Sequence, residues 1–196
     1  MKVIYSIALI FLITISTWAQ TPSKRKLRPS DIYRMKDLSD ARVSPEGKWV
    51  VYVLSRVDSA KDKNISNLWM TSWDATQTLQ LTSSDEGESK PEWSPDGKYI
   101  SFLSSRYESK HNQVWLMDRR GGEGKKITTV KGEIQEYKWS PDGTRIILSV
   151  TDTLNYDTSK EKNPKPHVID RVHFKQDMEG FLDRRHTHLY LLTIET

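Results

Sequence analysis

Cysteine is absent from the 196 residues. No disulfide, thiolate metal site or cysteine nucleophile is therefore available, and the lipid-anchor cysteine of a bacterial lipoprotein is excluded as well. Net charge is scarce: 30 Lys and Arg against 26 Asp and Glu leave +4, one unit of it from Lys2. The two signs are interleaved, so composition does not argue for a nucleic-acid partner. The basic run Lys24, Arg25, Lys26 and Arg28 reads as a solvated arm. Long apolar runs are scarce too. Only residues 3–15 form one, after Lys2 and before Ser16-Thr17-Trp18-Ala19-Gln20. That run is shorter than the roughly 20 residues of a membrane span, and small residues at 17 and 19 fit cleavage after Ala19. Residues 1–19 are thus expected to be a secretory signal, with an exported, periplasmic or extracellular product and no stable membrane span after cleavage.

What the sequence does contain is a repeat. Trp93-Ser94-Pro95-Asp96-Gly97 leads into the apolar run from Tyr99 to Phe102; Trp139-Ser140-Pro141-Asp142-Gly143 and Val43-Ser44-Pro45-Glu46-Gly47 lead into similar runs. Proline presets φ for the second position of a tight turn, Asp or Glu follows, and glycine takes the left-handed position, so each copy reads as a bulged hairpin turn between antiparallel strands. The serines lie 50 and 46 residues apart. Repeats of roughly 40–50 residues with four short strands each are the pattern of β-propeller blades. Further strands fall at similar offsets, at residues 67–73 and 113–118, and a third follows the insertion at 188–193, with short closing strands at 78–82 and 125–128.

The expected fold is all-β: a partial β-propeller of about three four-stranded blades after a signal peptide and a short lead-in. Residues 20–39 form the linker and a short helical or irregular lead-in, where Ile32, Met35 and Leu38 have helical spacing behind a Ser30 or Asp31 cap. Residues 40–196 form the incomplete propeller, with blades at about 40–82, 91–128 and 137–196 and an insertion at 152–187. Since closed propellers usually have about 4–8 blades, the sequence is expected to be part of a longer protein. The glycines between Arg119 and Lys125 are followed by no helix and read as a flexible hairpin rather than a phosphate cradle. Asn64-Ile65-Ser66 matches the glycosylation triplet but reads as an exposed polar loop. Trp69, Trp93, Trp115 and Trp139 recur at repeat positions and read as packing between blades.

The blades and the stretches Asp170-Arg171-Val172-His173-Phe174-Lys175 and Gly180-Phe181-Leu182-Asp183-Arg184-Arg185-His186-Thr187-His188 resemble secreted serine peptidases of the prolyl oligopeptidase family, in their acylaminoacyl-peptidase and dipeptidyl-peptidase branch. The resemblance implies a propeller that gates peptide substrates into an α/β-hydrolase domain. That domain is missing here: Gly-x-Ser-x-Gly occurs nowhere, so no catalytic residue is assigned and the chain by itself is expected to be inactive. Its implied partners are the carboxyl-terminal hydrolase domain and peptide substrates, with no cofactor and no metal. Insertions on repeat scaffolds often carry function, which makes Asp170, Arg171, His173 and Lys175 the candidate substrate-facing residues. Their charges, like those of Asp183, Arg184 and Arg185, also suit salt bridges within the insertion. His186 and His188 share a strand face but lack the further ligands a metal needs. The alternative reading is a non-enzymatic TolB-type periplasmic propeller that binds proteins.

Overall fold

In a computed structural model of the chain, the described residues are 25–107, 111–153, 169, 172, 174–176, 180, 181 and 185–194. The proposed signal peptide and most of the 152–187 insertion lie outside them. The chain divides into two units, residues 1–31 and 32–196. In the first, the Arg25 guanidinium forks onto Asp31 at 2.7 and 2.6 Å, and Asp31 Oδ2 also accepts the Arg28 amide at 2.8 Å. The lead-in forms a 3-10 turn, Pro29–Arg34, and no longer helix. Ile32, Met35 and Leu38 are all more than half exposed. Their helical stripe has nothing to bury against, so the chain turns extended at Lys36, and Leu38 pairs instead with Leu54.

Three antiparallel sheets follow in chain order. The first contains β1 (Lys36–Val43), β2 (Trp49–Asp58), β3 (Lys63–Ser72) and β4 (Thr78–Gln80) in sequential order. The second repeats this with β5 (Glu88–Trp93), β6 (Tyr99–Ser104), β7 (Gln113–Asp118) and β8 (Lys125–Lys126). In the third, β9 (Glu133–Trp139) pairs with β10 (Arg145–Thr151), which pairs with β13 (Thr187–Thr193). Between those last two strands lies a two-residue ladder of β11 (Lys175–Gln176) and β12 (Gly180–Phe181). The all-β, blade-like architecture is therefore as expected, with two four-stranded sheets and three strands described in the third.

The repeated turn explains its own sequence. In each copy the glycine amide donates to the serine carbonyl three residues back, at 2.8, 2.8 and 2.9 Å, and the glycine has φ of 71°, 69° and 71°. The serine hydroxyl accepts the amide five residues on, from Trp49, Tyr99 and Arg145, at 3.0, 2.9 and 2.9 Å. In the two Asp copies it also donates to the carboxylate two residues on, from Ser94 to Asp96 at 2.6 Å and from Ser140 to Asp142 at 2.5 Å. Serine and aspartate thus satisfy turn groups that strand pairing leaves over. These contacts hold the Asp96 carboxyl below its ordinary range and bring that of Asp142 down to about 2, the serine hydroxyl being the main cause in both.

Two apolar layers bind the sheets face to face. Val51, Val53, Leu68 and Met70 of the first sheet pack on Ile100, Phe102, Trp115 and Met117 of the second. Leu103 and Val114, on the opposite face of the second sheet, pack on Ile134, Tyr137, Ile146, Leu148 and Val150 of the third. The central sheet is covered on both faces, so β6 is buried from Ile100 to Ser104 instead of alternating. A second repeated device closes the outer hairpins. The Thr82 hydroxyl accepts the Leu68 amide at 2.8 Å, and the Thr128 hydroxyl accepts the Val114 amide at 2.9 Å.

Candidate functional site

The first strands of the three sheets, β1, β5 and β9, approach one another in succession, while no neighbouring sheet contacts the outermost strands β4 and β8 as closely. The sheets therefore converge on their first strands, which form the inner wall of the blade arc. Two rows of charge run across this wall. Four residues before each turn serine stand Asp40, Lys90 and Glu136; two residues before it stand Arg42, Glu92 and Lys138. Sign alternates along each row and between the rows.

The rows are joined between sheets. Arg42 Nε lies 3.2 Å from Glu92 Oε1, and Lys138 Nζ pairs with the same oxygen from the other side. Glu92 is the most covered member, with its side chain 18% exposed. In the other row, Lys90 Nζ lies 3.5 Å from Glu136 Oε1 and donates to the Gln135 carbonyl at 2.6 Å. Asp40 Oδ2 accepts the Lys90 amide at 3.2 Å. Asp40 and Lys90 both occupy left-handed backbone, φ 51° and 50°, where β1 and β5 bulge against β2 and β6. A lysine is strained there, and contacts on both flanks hold it: Asp40 takes its amide, and the Tyr137 hydroxyl donates to its carbonyl at 2.8 Å. Burial pushes the Tyr137 hydroxyl pKa well above its ordinary value, so this donor stays protonated. Partly exposed ion pairs of this kind contribute under about 1 kcal/mol each. They order charge on the wall more than they hold the sheets together, a task left to the apolar layers.

Of the candidate substrate-facing residues in the insertion, Lys175 alone is among the described ones. Lys175 begins β11, is exposed and stands opposite Phe181 in the ladder; Asp170, Arg171 and His173 lie outside the described residues. His188 Nε2 is 3.3 Å from Asp152, whose carboxylate also accepts the His186 amide at 3.3 Å. Among the described residues no group of three or more His, Asp or Glu side chains is placed to hold a metal. The tryptophans Trp93 and Trp139 do reach across blades: their indole N–H groups donate to the Arg42 carbonyl at 3.0 Å and to Ser101 Oγ at 2.8 Å. Trp115 packs in the first apolar layer, whereas Trp69 belongs to neither layer. Beside the turns, a cleft of about 430 Å³ between the second and third sheets is lined by Asp96, Tyr99, Lys125, Trp139 and Asp142. The signal of the charge rows, opposite charges at fixed distances before each serine, is present in the sequence but does not stand out among its many charged residues.

No family model matches the chain. It is 26% identical over 178 residues to a Bacillus subtilis protein described as the uncharacterized peptidase YuxL, covering 88% of this chain and 27% of that one. It is 29% identical over 140 residues to dipeptidyl-peptidase 5 of Porphyromonas gingivalis, covering 69% and 20%. This is a β-propeller region resembling the amino-terminal propeller of such peptidases. Its fold superposes on Pyrococcus horikoshii acylaminoacyl peptidase with a TM-score of 0.65 at 23% identity, over 83% of this chain and 24% of that one. The chain thus spans about a quarter of the length of these relatives, which are far longer.

Proposed function

We propose that this chain is the amino-terminal propeller portion of an exported serine peptidase of the prolyl oligopeptidase family that hydrolyses short peptides. The observation that carries the reading is the alignment of more than four-fifths of the chain with about a quarter of the length of peptidases far longer than it. In this reading the chemistry, acyl transfer through a serine, belongs to a hydrolase domain outside the present sequence, and the propeller admits peptides by size. The charged inner wall lies along the path of approach. Asp170, Arg171, His173 and Lys175 are proposed to face the substrate from the third-blade insertion. Residues 1–19 direct export, and the mature chain begins at Gln20.

The test uses the full-length protein, expressed with its leader. A fluorophosphonate probe labels it, dipeptidyl or acyl-aminoacyl chromogenic substrates are turned over, and the 196-residue chain does neither. A full-length protein that neither labels nor hydrolyses any of these substrates would refute the peptidase reading. Amino-terminal sequencing of the exported fraction checks cleavage after Ala19; a retained Met1 in a cytosolic fraction overturns the export proposal.

A further inference from the structure

The two charge rows and the flank of the third sheet point to the same absent neighbour. At matching ladder positions the first sheet has Val53 opposite Leu68, the second Leu103 opposite Val114, and the third Ser149 opposite Leu189. Leu68 and Val114 are each 0% exposed, because the next sheet covers them, whereas Leu189 is 73% exposed. Beside it Ile147 and Leu191, paired across the ladder, are 44% and 63% exposed. The inner wall shows the same gradient. The Glu92 side chain, with a neighbour on each side, is 18% exposed, against 72% for Glu136 and 60% for Lys138 on the last inner strand.

We infer that the charge pair before each turn serine is a neighbour code, and that the third sheet's flank docks a further sheet whose inner strand carries a cation level with Glu136 and an anion level with Lys138. The three copies read Asp-Ala-Arg-Val-Ser, Lys-Pro-Glu-Trp-Ser and Glu-Tyr-Lys-Trp-Ser over residues 40–44, 90–94 and 136–140. Each inverts the sign pattern of the one before: Glu92 meets Arg42 and Lys138, and Lys90 meets Glu136, as opposite charges, while Asp40 takes the Lys90 amide. A sheet displaced by one place around the arc would set like charges side by side at both levels, which is unfavourable. The occupant is the next sheet of the same polypeptide, since it continues two interfaces of the same construction. The inference does not depend on peptidase activity.

Two measurements test it. The first uses charge variants of the chain. Glu92→Lys alone places three cations in one row and lowers the Tm by about 3 °C or more; adding Arg42→Glu and Lys138→Glu inverts the row and recovers at least half of that loss. The difference between the two variants shrinks in about 1 M salt, where the screening length is roughly 3 Å. An inverted row no more stable than the single variant, or a single variant as stable as the parent, overturns the code. The second reads the continuing frame. A further Ser-Pro-Asp-Gly copy is expected with Lys or Arg four residues before its serine and Asp or Glu two before. Like-for-like charges there, no further copy, or dimerisation of two chains through the Leu189 flank in sedimentation experiments, would overturn the assignment.

Discussion

Arg106 and Glu88 make the sharpest test of how the first two blades are joined. The Glu88 side chain has no exposure and that of Arg106 only 13%. Arg106 Nε donates to Glu88 Oε1 at 3.0 Å, while Glu88 Oε2 accepts from the Thr82 hydroxyl at 2.8 Å and from Asn67 Nδ2 at 3.2 Å, both in the first sheet's hairpins. The guanidinium also lies over the Phe102 and Trp115 rings, 5.3 and 5.7 Å from their centroids. Replacing Arg106 by Met keeps much of the stem's packing but leaves a carboxylate enclosed with only two neutral donors. Removing one partner of such a pair costs about 3–5 kcal/mol, and the lost ring contacts add about 0.5–2 kcal/mol. Adding Glu88→Gln removes the stranded charge while keeping an oxygen for Thr82, so the double variant regains about 1–3 kcal/mol over Arg106→Met. Urea denaturation followed by tryptophan fluorescence reads both differences. A loss below about 1 kcal/mol for Arg106→Met, or a double variant less stable than it, would refute the view that this pair is enclosed and interdependent.

The open flank makes a contrast at one repeat position. Val114→Asp, at a fully buried site, should abolish the folding transition, whereas Leu189→Asp, 73% exposed, should shift stability by no more than about 0.5 kcal/mol; circular dichroism melts compare them, and equal effects would place a covering sheet over Leu189 already. Acid response follows from the turns. Because the folded Asp142 carboxyl sits near 2 against an ordinary 3.8, its contribution is fully present above about pH 4 and is lost as pH falls through 3.8 toward 2. Asp142→Asn should therefore lower the Tm at pH 7, where the contribution is fully present, and flatten the profile in that window so that the difference from the parent vanishes toward pH 2, as melts across pH 2–7 would show.

Much of this was legible because local chemistry dictated it. Pro95, Asp96 and Gly97 and their counterparts mark corners whatever lies around them, and their period of 50 and 46 residues announces blades. The apolar run that follows each of these turns was readable for the same reason. In the lead-in a short 3-10 turn forms at Pro29–Arg34, but how far the helical spacing of Ile32, Met35 and Leu38 would carry was not legible, because spacing alone does not reveal whether a stripe has apolar surface to cover. The site was less legible still. Asp170, Arg171, His173 and Lys175, of which only Lys175 is among the described residues, stand out in the sequence for lying on an insertion, whereas the charges that meet across blades sit on regular strands, among many others in a sequence with 56 charged side chains.

By itself, then, the sequence determined the turns, the blade period and the lack of a serine nucleophile motif, since each depends on residues adjacent in the chain. Which faces were buried, which carboxylate two cations would share, and that Lys90 would be held in left-handed backbone by Asp40 and Tyr137 were settled only when strands some 50 residues apart were brought side by side. Ion pairing and desolvation depend on distances of a few ångströms, and only the packing of sheet on sheet sets those distances.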